Sequence, residues 1–185
     1  LDAALKSFTT RGFDATTLAD IRRDSGASIG SLYHHFRSKE ELAAALYLEG
    51  LDAYQQAQLD ALAKSKDAEK GVKGLVRTHL DWIGAQPDLA SFLLTLRSQV
   101  SKGPAEERVR DSRRAFFQRI AGWADANTSD GDLRKLPFPL FVSLVIGPSE
   151  EFVRDWLGRR DDKELQLAKR ILPDAAWDAV KAGAR

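Results

Sequence analysis

Residues suited to binding a polyanion are concentrated in the segment from Thr16 to Leu42. Hydroxyl groups and imidazoles can hydrogen-bond to base edges and phosphates, and a lysine adds positive charge. Ser28, Ser31 and Tyr33 carry hydroxyls suited to base edges or nearby phosphates. Gly30 would let a sugar–phosphate backbone approach closely, unless it is only a glycine near a turn. The residues expected to contact nucleic acid are Thr17, Ser28, Ile29, Gly30, Ser31, Tyr33, His34 and Lys39.

Two short helices around a tight turn would present these residues. The first is predicted over Thr17–Ser25, because Leu18 and Ile21, three apart, give it one apolar stripe. One member of the Thr16-Thr17 pair can cap its first N–H groups. Gly26 follows the helix, at a position where a left-handed backbone costs glycine little. The turn after it is therefore expected to be short.

The second predicted helix covers Ser28–Phe36, and its Leu32 faces the core. Gly30, Tyr33 and His34 lie on the opposite arc of this helix. Two helices joined by a tight turn, with polar residues on the outer face of the second, are the layout of a helix-turn-helix that reads DNA.

Another helix is predicted to start at Ser38. Ser38 and Glu41 match the Ser-x-x-Glu capping box. The free N–H groups of this helix end, together with Lys39, would form a seat for a DNA phosphate, although the same residues also suit an ordinary surface cap.

These segments resemble the N-terminal domain of the tetracycline-repressor (TetR) family of bacterial transcription regulators. The resemblance covers roughly the first 50 residues and departs at Ile29, where the family often has a lysine or another polar residue. The matching segments are Ala4-Leu5-Lys6-Ser7-Phe8, Arg11-Gly12-Phe13, Thr16-Thr17-Leu18-Ala19-Asp20-Ile21, Ser25-Gly26-Ala27-Ser28, Gly30-Ser31-Leu32-Tyr33-His34-His35-Phe36 and Ser38-Lys39-Glu40-Glu41-Leu42.

The resemblance implies a transcription regulator, by default a repressor, that binds a palindromic double-stranded DNA operator as a homodimer. It implies a helix-turn-helix domain in residues 1–50 and an effector-binding and dimerisation domain in residues 51–185. A small-molecule effector in the second domain would change the spacing of the two DNA-binding heads through a helix from Lys39 to about Lys64. A basic N-terminal arm, where the family has one, would precede Leu1.

Composition agrees with a helical protein that has a real core. The chain has 185 residues, 43% of them hydrophobic, and no cysteine, which excludes disulfides, thiolate nucleophiles and Cys-ligated zinc. No apolar run reaches the roughly 18 residues of a membrane span, and no signal-peptide pattern opens the chain. A cytoplasmic protein without a membrane partner is expected. Residues 1–50 hold 6 basic and 7 acidic residues, so weak nonspecific DNA affinity is expected.

Beyond residue 40 the apolar spacing is helical throughout, with no strand alternation and no repeat unit. Pro87, Gly103-Pro104 and Gly147-Pro148 interrupt this pattern. A helix of about residues 106–126 is followed by a predicted loop over residues 127–132. The predicted fold class is all-α, about nine helices, with a three-helix helix-turn-helix domain followed by a helical ligand-binding and dimerisation domain.

Aromatic residues in the second domain are numerous enough to line a ligand pocket, which would favour an apolar or aromatic effector. Aromatic side chains at helical spacing also suit a packed core, and His79 among apolar neighbours suits either a hydrogen-bonded core residue or a group that orients a ligand. The residues expected at the effector site are His79, Trp82, Phe92, Phe116, Phe117, Trp123 and Phe141.

The segment between Pro137 and Gly147 has few polar positions, so its helix must be buried on more than one side. A partner subunit is one way to bury it, and two-fold symmetry would make the patch self-complementary. The residues expected at the dimer interface are Phe138, Val142, Val145, Phe152 and Trp156.

Two other classes of function are alternatives to a DNA-binding regulator. An enzyme is disfavoured, because the chain has no His-Glu-x-x-His motif and no phosphate-binding glycine loop, and the adjacent His34 and His35 point to different faces of a helix. No catalytic residue, metal site or cofactor is expected. The other alternative is a helical small-molecule-binding protein with the repressor fold but no DNA binding, which the acidic balance of residues 1–50 favours.

Overall fold

The computed structural model describes residues 1–26, 34–100, 103 and 105–183, and within these ranges it contains nine α-helices. They are α1 (Asp2–Arg11), α2 (Leu18–Ser25), α3 (Lys39–Ala63), α4 (Ala68–Ala85), α5 (Pro87–Val100), α6 (Glu106–Ser129), α7 (Phe138–Val145), α8 (Gly147–Arg159) and α9 (Asp162–Val180). The same ranges contain no strand, only an isolated antiparallel bridge between Leu133 and Lys181. The all-α prediction is confirmed for them.

The start of α2 shows which threonine acts as the cap. Thr17 Oγ1 accepts a hydrogen bond from the Asp20 N–H at 3.1 Å, and Asp20 Oδ2 accepts one from the Thr17 N–H at 3.1 Å. These two bonds form a capping box. Thr16 is buried instead and donates to the carbonyl oxygen of Gly12 at 2.7 Å. Gly26 ends the helix in the left-handed conformation, with φ 68°, as predicted.

A proline and a glycine mark two helix boundaries, one near the middle of the chain and one in its second half. Pro87 begins α5 directly after α4 has ended at Ala85, which suits a residue that lacks the N–H of a helix interior. Gly147 begins α8 after α7 has ended at Val145. Both interruptions were expected from the sequence.

The loop predicted over residues 127–132 begins later than expected, because α6 continues to Ser129. Polar side chains at its end bond to the helix itself: Thr128 Oγ1 donates to the carbonyl oxygen of Ala124 at 2.8 Å. Such residues can therefore extend a helix rather than end it. The chain turns at Gly131, where φ is 87°.

The chain forms two compact units, and each draws on two separate stretches of sequence. The first unit comprises Leu1–Ala53 and Gln86–Arg113. Phe8 lies in its core, with its ring centre 5.5 Å from that of Phe13 and 5.7 Å from that of Phe92. Helix α5 thus packs on α1.

The second unit comprises Tyr54–Ala85 and Arg114–Arg185. Helix α4 packs along α9, and its Val72, Val76 and Leu80 are fully buried. No helix in the described ranges has the length and apolarity that crossing a bilayer would require. The division of function at residue 50 stays a prediction, since α3 contributes residues to both units.

Candidate nucleic-acid interface and effector site

The cap of α2 places Thr17 on the surface of the first unit. Its hydroxyl donates to Asp20 Oδ2 at 2.6 Å, and this bond, with the backbone bond from Thr17, holds the pKa of the Asp20 carboxyl below its usual value. The exposed Thr17 side chain is thus already engaged in the capping box. A phosphate contact from this hydroxyl would have to share it with Asp20.

The start of α3 is held by Lys39. Its ammonium donates to the carbonyl oxygens of Phe13 at 2.9 Å and Asp14 at 3.0 Å. The predicted capping box forms only in part: Ser38 Oγ accepts from the Glu41 N–H at 3.2 Å, but the Glu41 carboxylate accepts from the N–H of Arg37 at 2.9 Å. Lys39 therefore ties α3 to the loop between α1 and α2.

The acidic residues of α2 are paired with nearby arginines. Asp20 lies 2.8 Å from the guanidinium of Arg23, and Asp24 lies 2.8 Å from that of Arg11. These pairs offset the two carboxylates that would otherwise repel a phosphate backbone. Within the described ranges, Arg22 and Arg37 have no ion pair, so their charges are available to phosphates.

The second predicted helix, Ser28–Phe36, would be the recognition helix that reads the DNA. Most of it falls outside the described residues. The predicted contacts there are Ser28, Ile29, Gly30, Ser31 and Tyr33. His34 is described, helical and exposed, with its ring centre 5.4 Å from that of His35. Thr17, His34 and Lys39 are thus the predicted DNA contacts whose placement is known.

His79 belongs to a buried polar cluster in the second unit. Its Nδ1 lies 2.9 Å from the hydroxyl of Tyr54, and Gln58 Nε2 donates to the same hydroxyl at 3.2 Å. Burial lowers the pKa of His79 to about 4 and raises that of Tyr54. Tyr54 and Gln58 were not predicted as site residues, although their spacing of four places both on one face of a helix.

The predicted aromatic residues of the effector site fall into separate groups. Trp82 meets Tyr54 edge to face, with ring centres 5.3 Å apart. A chain of rings runs from Phe116 to Phe117 at 5.3 Å, to Phe138 at 6.1 Å and on to Phe141 at 6.4 Å.

Two further predicted site residues lie elsewhere. Trp123 lies against Gly71, where any added Cβ would overlap its ring. Phe92 packs on Phe8 in the first unit. Within the second unit, His79 and Trp82 therefore meet at Tyr54, and Phe141 is linked to Phe117 through Phe138.

The predicted dimer residues differ in accessibility. Val145 and Trp156 are buried within the unit, and the indole N–H of Trp156 donates to the carbonyl oxygen of Asp161 at 2.8 Å. Phe138, Val142 and Phe152 are half-buried. The large apolar side chains exposed on the neighbouring helices α7 and α9 are Leu140 (46%), Leu167 (46%) and Ile171 (54%). Sequence reasoning missed these three.

Comparison with known proteins bears on the helix-turn-helix and on the whole chain. The family model for bacterial regulatory proteins of the tetR family matches residues 1–46. The HTH-type transcriptional repressor KstR2 of Rhodococcus jostii (strain RHA1) is 31% identical over 181 residues, covering 98% of this chain and 76% of that protein. The chain belongs to the TetR family.

Solved structures show the same TetR-family fold over nearly the whole chain. A TetR family transcription regulator from Marinobacter aquaeolei VT8 has a TM-score of 0.77 at 25% identity, covering 98% of this chain and 93% of that one. The regulator FadR from Bacillus subtilis, in complex with stearoyl-CoA, has a TM-score of 0.78 at 14% identity, covering 96% of each chain. At that identity the likeness to FadR shows the fold alone.

The family resemblance found in the sequence is thereby confirmed. This TetR-family chain is a helix-turn-helix transcriptional regulator. Its family consists of regulators rather than enzymes. In the described ranges, no group of three or more histidine or acidic side chains could hold a metal ion.

Proposed function

We propose that this TetR-family regulator is a repressor that binds a palindromic operator as a homodimer and is released by a small effector. Two copies of the predicted recognition helix, Ser28–Phe36, would enter successive major grooves roughly 34–36 Å apart. The observation that carries the proposal is that both flanks of this segment are anchored in one unit. Gly26 ends a capped α2, and Lys39 begins α3 while bonded to the α1–α2 loop.

The proposed contacts follow from residue chemistry. Ser28, Ser31 and Tyr33 would meet base edges or nearby phosphates, and Ile29 and Gly30 would lie against the duplex. The residues proposed to position the head on the backbone are Thr17, His34 and Lys39. Because Arg11 and Arg23 are already paired with Asp20 and Asp24, the phosphate contribution of this head is expected to be modest.

The proposed dimer uses α7, α8 and α9, which pack against one another in the second unit. Leu167 and Ile171 are one turn apart on α9, and both are exposed together with Leu140 of α7. Exposed large apolar side chains on adjacent helices suit a subunit interface. Half-buried Phe138, Val142 and Phe152 could extend it, whereas Val145 and Trp156 would support it from inside. The exposed apolar side chains proposed to contact the partner subunit are Leu140, Leu167 and Ile171.

The proposed effector is small and apolar or aromatic, bound within the second unit. The ring groups around Trp82 and around Phe117 offer the aromatic surface for it. FadR, which has the same fold, holds stearoyl-CoA, so a ligand with a large apolar part is compatible with this architecture. We propose that the protein acts on DNA in the cytoplasm. We propose no catalytic role and no cofactor for it.

A second candidate is a ligand-binding protein that has kept this fold without binding DNA. The net charge of −1 over residues 1–50 and the pairing of Arg11 and Arg23 with carboxylates favour it. Binding to a DNA duplex is expected of the repressor and not of this second candidate, so a duplex-binding measurement distinguishes the two.

Selection of a random duplex library on the purified protein tests the proposal. Enrichment of a palindrome, lost in Tyr33→Ala and kept in the matched exposed variant His35→Ala, is the expected result. A folded dimer that enriches no duplex would favour the second candidate.

A further inference from the structure

Tyr54, Gln58 and His79 form a buried polar cluster in the second unit. Tyr54 and Gln58 are one turn apart on α3, and His79 faces them from α4. Gln58 is 1% exposed and His79 is 5% exposed. Buried polar side chains of this kind are normally fully hydrogen-bonded.

The bonds within the cluster favour one assignment of donors and acceptors. Gln58 Nε2 donates to the Tyr54 oxygen, so the Tyr54 hydroxyl hydrogen is free to be donated to His79 Nδ1. His79 is neutral at physiological pH because burial lowers its pKa to about 4. A neutral imidazole that accepts at Nδ1 carries its proton on Nε2. His79 Nε2–H is therefore a donor.

Two polar atoms of the cluster have no partner. They are His79 Nε2 and Gln58 Oε1, both buried and without a hydrogen bond. One is a donor and the other an acceptor, so the cluster lacks one bond of each kind. Leaving a buried donor or acceptor without a hydrogen bond is unfavourable, which favours a partner that supplies both bonds.

The surroundings limit the charge of that partner. Trp82 contacts Tyr54 edge to face, and the neighbouring α4 residues Val76 and Leu80 are fully buried and apolar. The Glu150 carboxylate acts on Tyr54, raising its pKa further, and would repel an anion. A cation offers no acceptor to the Nε2–H. Charged ligands are therefore disfavoured.

We infer that Gln58 and His79 form the polar anchor of a binding site for a neutral, largely apolar molecule that carries a hydroxyl group. The hydroxyl donates to Gln58 Oε1 and accepts from His79 Nε2–H, while Tyr54 holds both side chains in place. Tyr54 and Trp82 are half-buried beside the cluster. Gln58 Oε1 and His79 Nε2 are themselves buried, so the surrounding side chains must move apart to admit an aromatic or alicyclic body. This inference rests on the proposed function insofar as the occupant is the effector.

The test uses matched pairs of a phenol and its methyl ether, in which methylation removes the O–H donor. The pairs are phenol and anisole, 2-naphthol and 2-methoxynaphthalene, and 4-phenylphenol and 4-methoxybiphenyl, and 2-naphthoate is added as an anion. Binding to the full chain is measured without DNA by equilibrium dialysis. The chain has three histidines, so imidazole ¹⁵N NMR reports on His79 Nε2 directly. At least one hydroxyl compound is expected to bind about tenfold more tightly than its methyl ether and to shift the His79 Nε2 signal.

Variants test whether Gln58 and His79 cause the tighter binding of the hydroxyl compound over its methyl ether. Gln58→Leu and His79→Phe are expected to reduce this affinity ratio to less than about twofold. Gln56→Leu, at an exposed glutamine on the same helix, is expected to keep it. Equal binding of every pair, an unmoved His79 signal, tighter binding of 2-naphthoate, or no binding of any compound would overturn the inference. The wild-type preference and the NMR shift decide the matter even where a variant fails to fold.

Adding the same compounds to the operator complex separates this inference from the proposed function. Site binding without operator release leaves the site standing and removes its regulatory role. Operator release by compounds that show no hydroxyl preference leaves the proposed function standing and overturns the anchor.

Discussion

The ammonium of Lys39 donates to the carbonyl oxygen of Phe13 at 2.9 Å and lies 4.6 Å from the centre of the Phe13 ring. The first residue of α3 thereby holds the loop between α1 and α2, which lies far earlier in the chain. A second bond goes to the carbonyl oxygen of Asp14. Two of the three ammonium hydrogens are thus used within the protein, and one is left for a phosphate.

Removing this ammonium should destabilise the first unit. We expect Lys39→Met, which keeps the apolar stem, to lower the free energy of unfolding by about 1–2 kcal/mol, because hydrogen bonds and a cation–π contact are lost. Urea denaturation measures the change. Lys6→Met, an exposed lysine of α1, is the control. Equal stabilities of the two variants would contradict a structural role for Lys39.

His79 should make the protein less stable in mild acid. Its pKa is about 4 in the folded state against 6.5 ordinarily, so the unfolded chain binds its proton first as pH falls. Stability from this residue is complete above pH 6.5 and is lost as pH falls toward 4. From pH 7.5 to 5 the wild type should lose about 2 kcal/mol more than His79→Gln, which does not titrate.

Urea denaturation of both proteins at the two pH values provides this measurement. The comparison cancels the contribution of carboxylates that titrate in both proteins. An identical pH dependence of wild type and variant would show that His79 is not held neutral by burial.

Two glycines of α4 should respond oppositely to the same substitution. A Cβ at Gly71 would overlap the ring of Trp123, whereas one at Gly74 would meet only the Cβ of Ala61 at 3.9 Å. We expect Gly71→Ala to lower the free energy of unfolding by about 1–3 kcal/mol through overpacking. Gly74→Ala should raise it by up to about 1 kcal/mol, since alanine favours a helix. Thermal denaturation of both variants checks the two signs.

Charges placed on the exposed apolar stripe of α9 should dissociate the proposed dimer. Leu167→Glu combined with Ile171→Glu would bury two carboxylates in the interface, and we expect the dimer dissociation constant to rise about a hundredfold or more. Sedimentation velocity at several concentrations measures it. Gln166→Glu adds a charge to the same helix as a control. A double variant that stays dimeric would place the interface elsewhere.

Signals within a few residues of sequence predicted several helix boundaries correctly. A cap by Thr16 or Thr17, a left-handed Gly26 and an interruption at Pro87 each depend on residues within a few positions of one another. The structure confirms all three, with Thr17 as the cap. The predicted end of α6 was wrong, and the reason is also local. Thr128 bonds to the helix as readily as it would stabilise a turn.

Tertiary contacts explain what the sequence could not predict. The partners of Lys39 lie on the α1–α2 loop, and Tyr54 is 25 positions from His79. No periodicity brings such residues together. Phe92 has the type and spacing of the other aromatic candidates, but its helix packs on α1. Aromatic spacing indicates a buried face without saying which unit buries it.

The most direct test of operator binding is fluorescence anisotropy of the enriched palindromic duplex and a scrambled duplex at two salt concentrations. We predict that the protein binds the palindromic duplex at least about a thousandfold more tightly than the scrambled duplex at both salt concentrations. We also predict that its affinity for DNA depends only weakly on salt. Tyr33→Ala should remove most of that difference. Equal affinities for the two duplexes would contradict sequence-specific operator recognition by this regulator.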